Sequence, residues 1–188
     1  MDEKLYLKID HAREPLPMRP ESIEKVDSEY VRNGTCSIFI FIEPLAGWRV
    51  AEALTQRTKV DWAHKIKWLL DEQYPGADKV VLVQDNLNTH SFSSFYESFP
   101  PKDAFRFAQR LEMHFTPKHR SWLNMAECEL SALAAQCLGD RRIADIDTLN
   151  AELAAWHMGR NQTQKGIDWR FTTNDARVKL KRLYPIIL

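Results

Sequence analysis

The sequence predicts an α/β domain, and three observations carry that expectation. Two β-branched and aromatic runs, Thr35 to Glu43 (TCSIFIFIE) and Gly47 to Leu54 (GWRVAEAL), are separated by only Pro44-Leu45-Ala46. The apolar period then changes to that of an amphipathic helix over residues 61–73. A continuous apolar run, Lys79 to Gln84 (KVVLVQ), follows. Strands and helices alternating in this order stack as a mixed sheet covered by helices.

Each element has a local reason. Residues 11–29 (HAREPLPMRPESIEKVDSE) hold three prolines among scattered charges, the composition of an irregular connection. Pro44 to Gly47 reads as the turn of a hairpin whose second strand is the weaker. Trp62, Ile66, Leu69 and Leu70 recur at helical spacing, and Tyr74-Pro75-Gly76 stops that helix. KVVLVQ reads as a strand buried on both faces. Helical stretches at 91–99 and 102–111 precede a brief strand, Met113 to Thr116. Pro117 opens a polar loop, and helices follow at about Asn124 to Leu138 and 145–160. Asp175 to Tyr184 reads as a short basic helix. Neither repeat nor linker divides the chain, so residues 1–188 are expected to form one domain, with 145–188 its helical C-terminal part.

Composition removes several classes. Hydrophobic residues are 44% and charged residues 28%, the balance of a domain with a core rather than a disordered or fibrous chain. No apolar run approaches the ~18 residues of a membrane span, and MDEKLYLKID lacks a signal-peptide core. Three cysteines (Cys36, Cys128, Cys137) contain no Cys-x-x-Cys pair, which argues against a disulfide framework and fits a reducing cytoplasm. Lys+Arg 26 against Asp+Glu 26 leaves no net charge, so any contact with DNA has to be local. No glycine-rich phosphate loop, Gly-x-Ser-x-Gly elbow or zincin spacing is present, and His114 and His119 read as loop or strand-end residues.

Two carboxylates stand out by position. Asp85 follows the KVVLVQ strand directly, and ligands in open α/β sheets bind beyond the carboxyl ends of strands. Asn86, Asn88 and His90 lie beside it in DNLNTH; the same residues suit an ordinary turn. Glu127 falls, at 100° per residue, within the apolar arc of Ala126, Leu130, Leu133, Ala134, Cys137 and Leu138, while Glu129 falls just outside it. A carboxylate aimed at the core needs a partner, and a metal ion is one. A capping box between Asn124 and Glu127 is another. Asp2 and Glu3 alone read as an acidic terminus. In the tail, ARVKLKRLYP sets Arg177, Lys181 and Arg182 opposite Ala176, Leu180 and Leu183, the pattern of a solvated face.

Taken together, VLVQDNLNTH and HFTPKHRSWLNMAECEL resemble the DDE catalytic domain of bacterial insertion-sequence transposases of the mariner superfamily. MDEK, REPLPMRP, DSEYVRNGTCSIFIF, QRTKVDWA and WRFTTNDARVKLKRLYP extend the resemblance, in order, over essentially the whole chain. It implies a ribonuclease H-like three-layer α/β/α fold and a triad of acids. By motif these are Asp2 in MDEK, Asp85 in QDNLNTH and Glu127 in LNMAE, with Glu129 as the backup. Forty-one residues separate Asp85 from Glu127, more than is usual for the superfamily, and FPPKDAFRFAQR is read as the surplus. The implied chemistry is cleavage and transfer of DNA strands at transposon ends with two Mg²⁺ or Mn²⁺ ions about 3.5–4 Å apart. Asp2 is expected to bridge the ions, and Asp85 and Glu127 to steady one each. Lys118, His119, Arg120, Asn124, Arg177, Lys181 and Arg182 are the candidate DNA contacts.

The implied partners are double-stranded DNA, a second copy of the chain, and a DNA-binding polypeptide from an upstream frame. The expected location is the bacterial cytoplasm, on the nucleoid when bound to DNA. Two departures from the family pattern stand out. No helix-turn-helix precedes the acids, and only Met1 precedes Asp2, so the first central strand is expected to be missing. Leu5 to Ile9 follows the acid and would put Asp2 at the wrong end of a replacement strand. On this reading the chain is a poor catalyst. The alternatives are a non-catalytic remnant that binds DNA or a transposase, and a structure-specific nuclease on the same fold.

Overall fold

The longest run of alternating apolar residues becomes the longest strand. In the computed structural model, which describes residues 1–117, 124–163, 166, 170 and 172–179, β2 spans Tyr30–Glu43 and pairs antiparallel with β3, Trp48–Leu54. Gly47 closes the hairpin at φ 67°, a left-handed conformation that favours glycine, and its N–H donates to Glu43 O at 3.0 Å.

Alternation along β2 sends side chains to two separate cores. Phe39 and Phe41 pack with Trp62, Ile66 and Leu70 from α1 (Lys59–Trp68) and the π-helical turn Leu69–Gln73 that continues it. Phe95 of α2 (Ser93–Ser98) and Phe107 of α3 (Pro101–Arg110) complete that cluster. Ile38 and Ile40 face the other way, onto Leu130 and Leu133 of α4 (Met125–Leu133) and onto Leu149 and Leu153 of α5 (Ile146–Thr163). Each such side chain contributes about 1.5–3 kcal/mol by leaving water. The last labelled helix, α6, is Thr173–Lys179.

A strand begins at the first acid rather than ending there, and none of the described strands ends at Asp2. Residues Asp2–His11 form β1, antiparallel to β2, with Asp2 opposite Ile40, His11 opposite Tyr30 and a register shift between Leu7 and Ile9. Asp2 is its first residue. The strand forms because β2 offers it a long unpaired edge, and cross-strand hydrogen bonds reward an alternating segment even where Leu5 remains 57% exposed.

β4 (Val80–Gln84) pairs in parallel with β5 (Leu111–Phe115) as a separate two-stranded sheet. The expectation of burial on both faces is corrected. Leu82 and Gln84 point inward, whereas Val81 and Val83 are 60% and 43% exposed. No ladder joins β4 to the β1–β2–β3 sheet among the described residues, so the face carrying these valines is only partly covered.

The outer edge of β3 is closed differently. Asn150 and Asn161 of α5 each give and take a backbone hydrogen bond, with Ala53 and Arg49, at 2.7–3.1 Å, and His157 Nδ1 accepts from Ala51 N at 3.3 Å. Side chains here satisfy an edge that would otherwise invite pairing. Residues 12–29 are irregular, with isolated bridges at Leu16–Lys25 and Arg19–Ser22, as their prolines predict. No described helix is long and apolar enough to cross a membrane.

Candidate active site

Three elements deliver the three acids. β1 begins at Asp2, β4 ends one residue before Asp85, and α4 carries Glu127 in its first turn. Asn124 links two of them. Its Oδ1 caps α4 by accepting from Ala126 N at 3.2 Å, and its Nδ2 donates to Met1 O at 2.9 Å. The expected reciprocal cap from Glu127 gives way to this arrangement, and Glu127 Oε2 is a buried oxygen with no hydrogen-bond partner among the described residues.

The acids influence one another. The Asp2 carboxyl is pushed up to about 6, first by burial and then by the charges of Asp85 and Glu127; the Glu3 N–H, donating to Asp2 Oδ1 at 2.8 Å, pulls the other way. Like charges gathered in a low-dielectric site raise a carboxyl in this manner. The Met1 ammonium, itself lowered to about 6 by burial, counters Asp2 and Asp85 from close by while donating to Val83 O at 2.6 Å.

Asp85 is held by a histidine. His90 Nδ1 lies 2.9 Å from Asp85 Oδ1, close enough for an ion pair although not aligned as a hydrogen bond, and 3.0 Å from the Asp85 carbonyl. Its Nε2 meets Glu3 Oε1 at 2.9 Å. The ring stacks at 5.7 Å on Trp62, whose Nε1 donates to Gln84 Oε1 at 3.1 Å. Burial alone lowers the imidazole, but the bonds to Asp85 and Glu3 outweigh it and raise His90 to about 9. The roles of His90 and Glu3 are not apparent from spacing; the one available signal is the histidine five residues after Asp85 in DNLNTH.

Glu129, read as lying outside the inward arc, is buried. It sits 3.1 Å from Arg49 Nε and accepts from Arg160 Nη2 at 3.0 Å. The arc misleads because it takes its phase from Ala134, Cys137 and Leu138, which lie in a π-helical turn with fewer degrees per residue. With Arg49 and Arg160 against its carboxylate, Glu129 serves the core.

Among the candidate DNA contacts, Asn124 is buried and spends both ends of its amide internally. Arg177 is exposed on α6. Lys118, His119, Arg120, Lys181 and Arg182 lie outside the described residues.

Three carboxylates, two of which act on Asp2 and one of which has a buried oxygen with no hydrogen-bond partner among the described residues, match the hard oxygen donors and the negative charge that a divalent cation requires. As they stand, no three His, Cys, Asp or Glu side chains among the described residues are grouped tightly enough to hold an ion.

The fold is mixed α/β, with an acid on β1, one after β4 and one on α4. A family model described as DDE superfamily endonuclease matches residues 1–150. The chain belongs to that family, whose members act on DNA and use divalent metal ions. Comparison with curated proteins returns no match. Comparison with solved structures returns none either.

Proposed function

We propose that this chain is the catalytic domain of a bacterial insertion-sequence transposase of the mariner superfamily, on a ribonuclease H-like three-layer fold. Its substrate is double-stranded DNA at transposon ends and targets, which it cleaves and joins. The observation that carries the reading is that Asp85 and Glu127, acids far apart in sequence, both act on the buried carboxyl of Asp2, whose strand Asn124 ties to the helix bearing Glu127.

Asp2, Asp85 and Glu127 are the residues that would hold Mg²⁺ or Mn²⁺. When bound, two such ions activate a water or 3′-hydroxyl and stabilise the departing oxyanion. The chain's own residues set the geometry. The β1–β2 ladder fixes Asp2. Asn124 ties the start of β1 to the helix bearing Glu127, and His90, braced by Glu3 and Trp62, orients Asp85. Carboxylate placement matters because ~1 Å of misplacement can cost on the order of a hundredfold in rate.

A second reading, a DNA- or transposase-binding module without cleavage, is favoured by one observation, the engagement of Asp85 by His90. Nicking of a labelled transposon-end duplex by the purified chain with Mn²⁺ separates the two. The first reading expects cleavage that Asp85→Asn and Glu127→Gln each reduce at least 100-fold and Glu129→Gln does not abolish. Cleavage indifferent to Asp85→Asn would overturn it. DNA binding with no cleavage in either metal would establish the second.

A further inference from the structure

Three elements of the second core meet at one carboxylate. Arg49 of β3 stands opposite Ile42 and so shares the sheet face of Ile38 and Ile40, where apolar residues otherwise gather. Its side chain is 2% exposed, and its Nε lies 3.1 Å from Glu129 Oε2 of α4. Glu129, 7% exposed, accepts through Oε1 from Arg160 Nη2 of α5 at 3.0 Å.

Both arginines are held from elsewhere. The Arg49 backbone exchanges hydrogen bonds of 2.9 and 2.7 Å with the amide of Asn161, the residue after Arg160. Arg160 Nη1 donates to Gln136 Oε1 at 3.1 Å, in the π-helical turn that follows α4. Its guanidinium lies 5.3 Å from the centre of the Trp156 ring. Glu129 therefore faces two cations whose places are set before α4 docks.

Stability does not account for this arrangement. Taking charges out of water is costly, and apolar side chains of similar volume often replace a buried ion cluster without loss. What directional, charged contacts add is orientation. The rest of the inner face of α4 is Ala126, Leu130 and Leu133, and apolar contacts are non-directional. Asn124 anchors this nine-residue helix at its start, and one anchor at an end does not fix rotation about the axis. Glu127 is two residues before Glu129, about 200° around that axis. A turn of about 20° sweeps a carboxylate carried roughly 6 Å from the axis through about 2 Å. That exceeds the ~1 Å that can cost on the order of a hundredfold in rate.

We propose that Arg49, Glu129 and Arg160 are positioning residues, which fix the rotation of α4 and so present Glu127 to Asp2 and Asp85. The inference rests on the reading of Glu127 as a metal ligand and adds what keeps it in place. Glu129 acts through the helix that it shares with Glu127.

The test reads helix orientation and metal affinity separately, on the full chain. Cys128 is exposed on α4 while Cys36 and Cys137 are buried, so one nitroxide goes to Cys128 and a second to Lys102→Cys, exposed on α3. Pulsed EPR gives the distance between them, and titration of the unlabelled chain with Mn²⁺ alone gives affinity. The apolar variant Arg49→Met/Glu129→Leu/Arg160→Met is expected to keep the native urea midpoint. Its distance is expected to shift or broaden by about 3 Å, a label reaching farther from the axis than a carboxylate. Its affinity for Mn²⁺ is expected to fall at least tenfold. Glu129→Gln, which keeps an acceptor for Arg160, is expected to stay within a few-fold of native affinity. An apolar variant that fails to fold makes the cluster a stability element and overturns the proposal. So does a folded one with the native distance, or one with a shifted distance and native affinity. The distance needs no metal, so a native chain that binds no Mn²⁺ overturns the transposase reading while the distance still decides the role of the cluster.

Discussion

Asn124 and Met1 are 123 positions apart in sequence, and the Asn124 side-chain amide donates to the Met1 carbonyl at 2.9 Å. The same amide caps α4. One buried side chain therefore sets the helix that carries Glu127 against the strand that starts at Asp2.

Asn124→Ala is expected to cost about 2–3 kcal/mol, about 1 from the cap and the rest from a buried carbonyl left without its donor. Asn124→Ser keeps a cap acceptor and loses the donor to Met1 O without adding a buried charge, so it is expected to be the milder change. Urea denaturation of the three proteins measures both, and equal stability of all three would refute the link.

The two glutamates of α4 are expected to behave in opposite ways. Glu129→Ala removes the carboxylate that lies against Arg49, which is 2% exposed, and Arg160. Breaking a buried pair from one side costs about 3–5 kcal/mol. Glu127→Gln is expected to leave the melting temperature within a few degrees while removing activity. Thermal melts paired with cleavage assays distinguish them.

Asp2 is expected to trade stability for chemistry. Its carboxyl is raised from 3.8 to about 6 in the folded chain. The folded state therefore binds more protons than the unfolded one between those values, and stability falls as pH rises through them. Asp2→Asn removes that loss, and at pH 8 is expected to gain about 1–2 kcal/mol after allowance for solvent screening. Millimolar Mn²⁺ is expected to raise the melting temperature of the native chain and not that of Asp2→Asn.

His90 has the opposite sign at a higher pH. Its imidazole is raised from 6.5 to about 9, so its contribution is complete below pH 6.5 and lost as pH rises through 9. The size is about 3 kcal/mol. The Met1 amine, lowered from 8.0 to about 6, gains stability over pH 6–8 and masks part of this in the native chain. The difference between native and His90→Gln isolates it. That difference is expected to shrink from pH 6.5 to 9 by denaturant titration.

DNA binding by the isolated chain is expected to be modest and strongly salt-dependent. With 26 basic and 26 acidic residues there is no global attraction to phosphate, and only local clusters contribute. Electrophoretic shifts of a transposon end and of unrelated duplex at two salt concentrations measure this, and a sequence preference at physiological salt would contradict it.

Local pattern announced much of this molecule. The β2–β3 hairpin, α1, the strand before Asp85 and the capped start of α4 follow from alternation, helical period and Asn124. What failed was non-local. β1 is half exposed and gains its place from β2, a partner beyond the proline-rich segment, so its own residues signal little. Val81 and Val83 read as buried because apolar runs usually are, yet their coverage depends on what lies across an edge. Glu129 was misjudged because its arginines sit 80 positions before it and 31 after, and a π-helical turn shifts the phase of its helix. Asp85 and Glu127 were legible as positions; the histidine between Asp85 and Glu3 was not, since Glu3 is 87 residues away from it.

The bond from Met1 to Val83 and the one from Asn124 back to Met1 also set an order of events during synthesis. Met1 leaves the ribosome before either partner, and the later one is made 123 residues after it, ~6–25 s at ordinary elongation rates of ~5–20 residues per second. The β2–β3 hairpin and α1 can form in that interval from neighbours in sequence, while contacts spanning such distances wait for the loop-closure entropy to be met. The acids on β1 and α4 therefore come together only after α4 has emerged. A nascent chain carries its carboxylates apart, and the site that gathers them is a late product of translation.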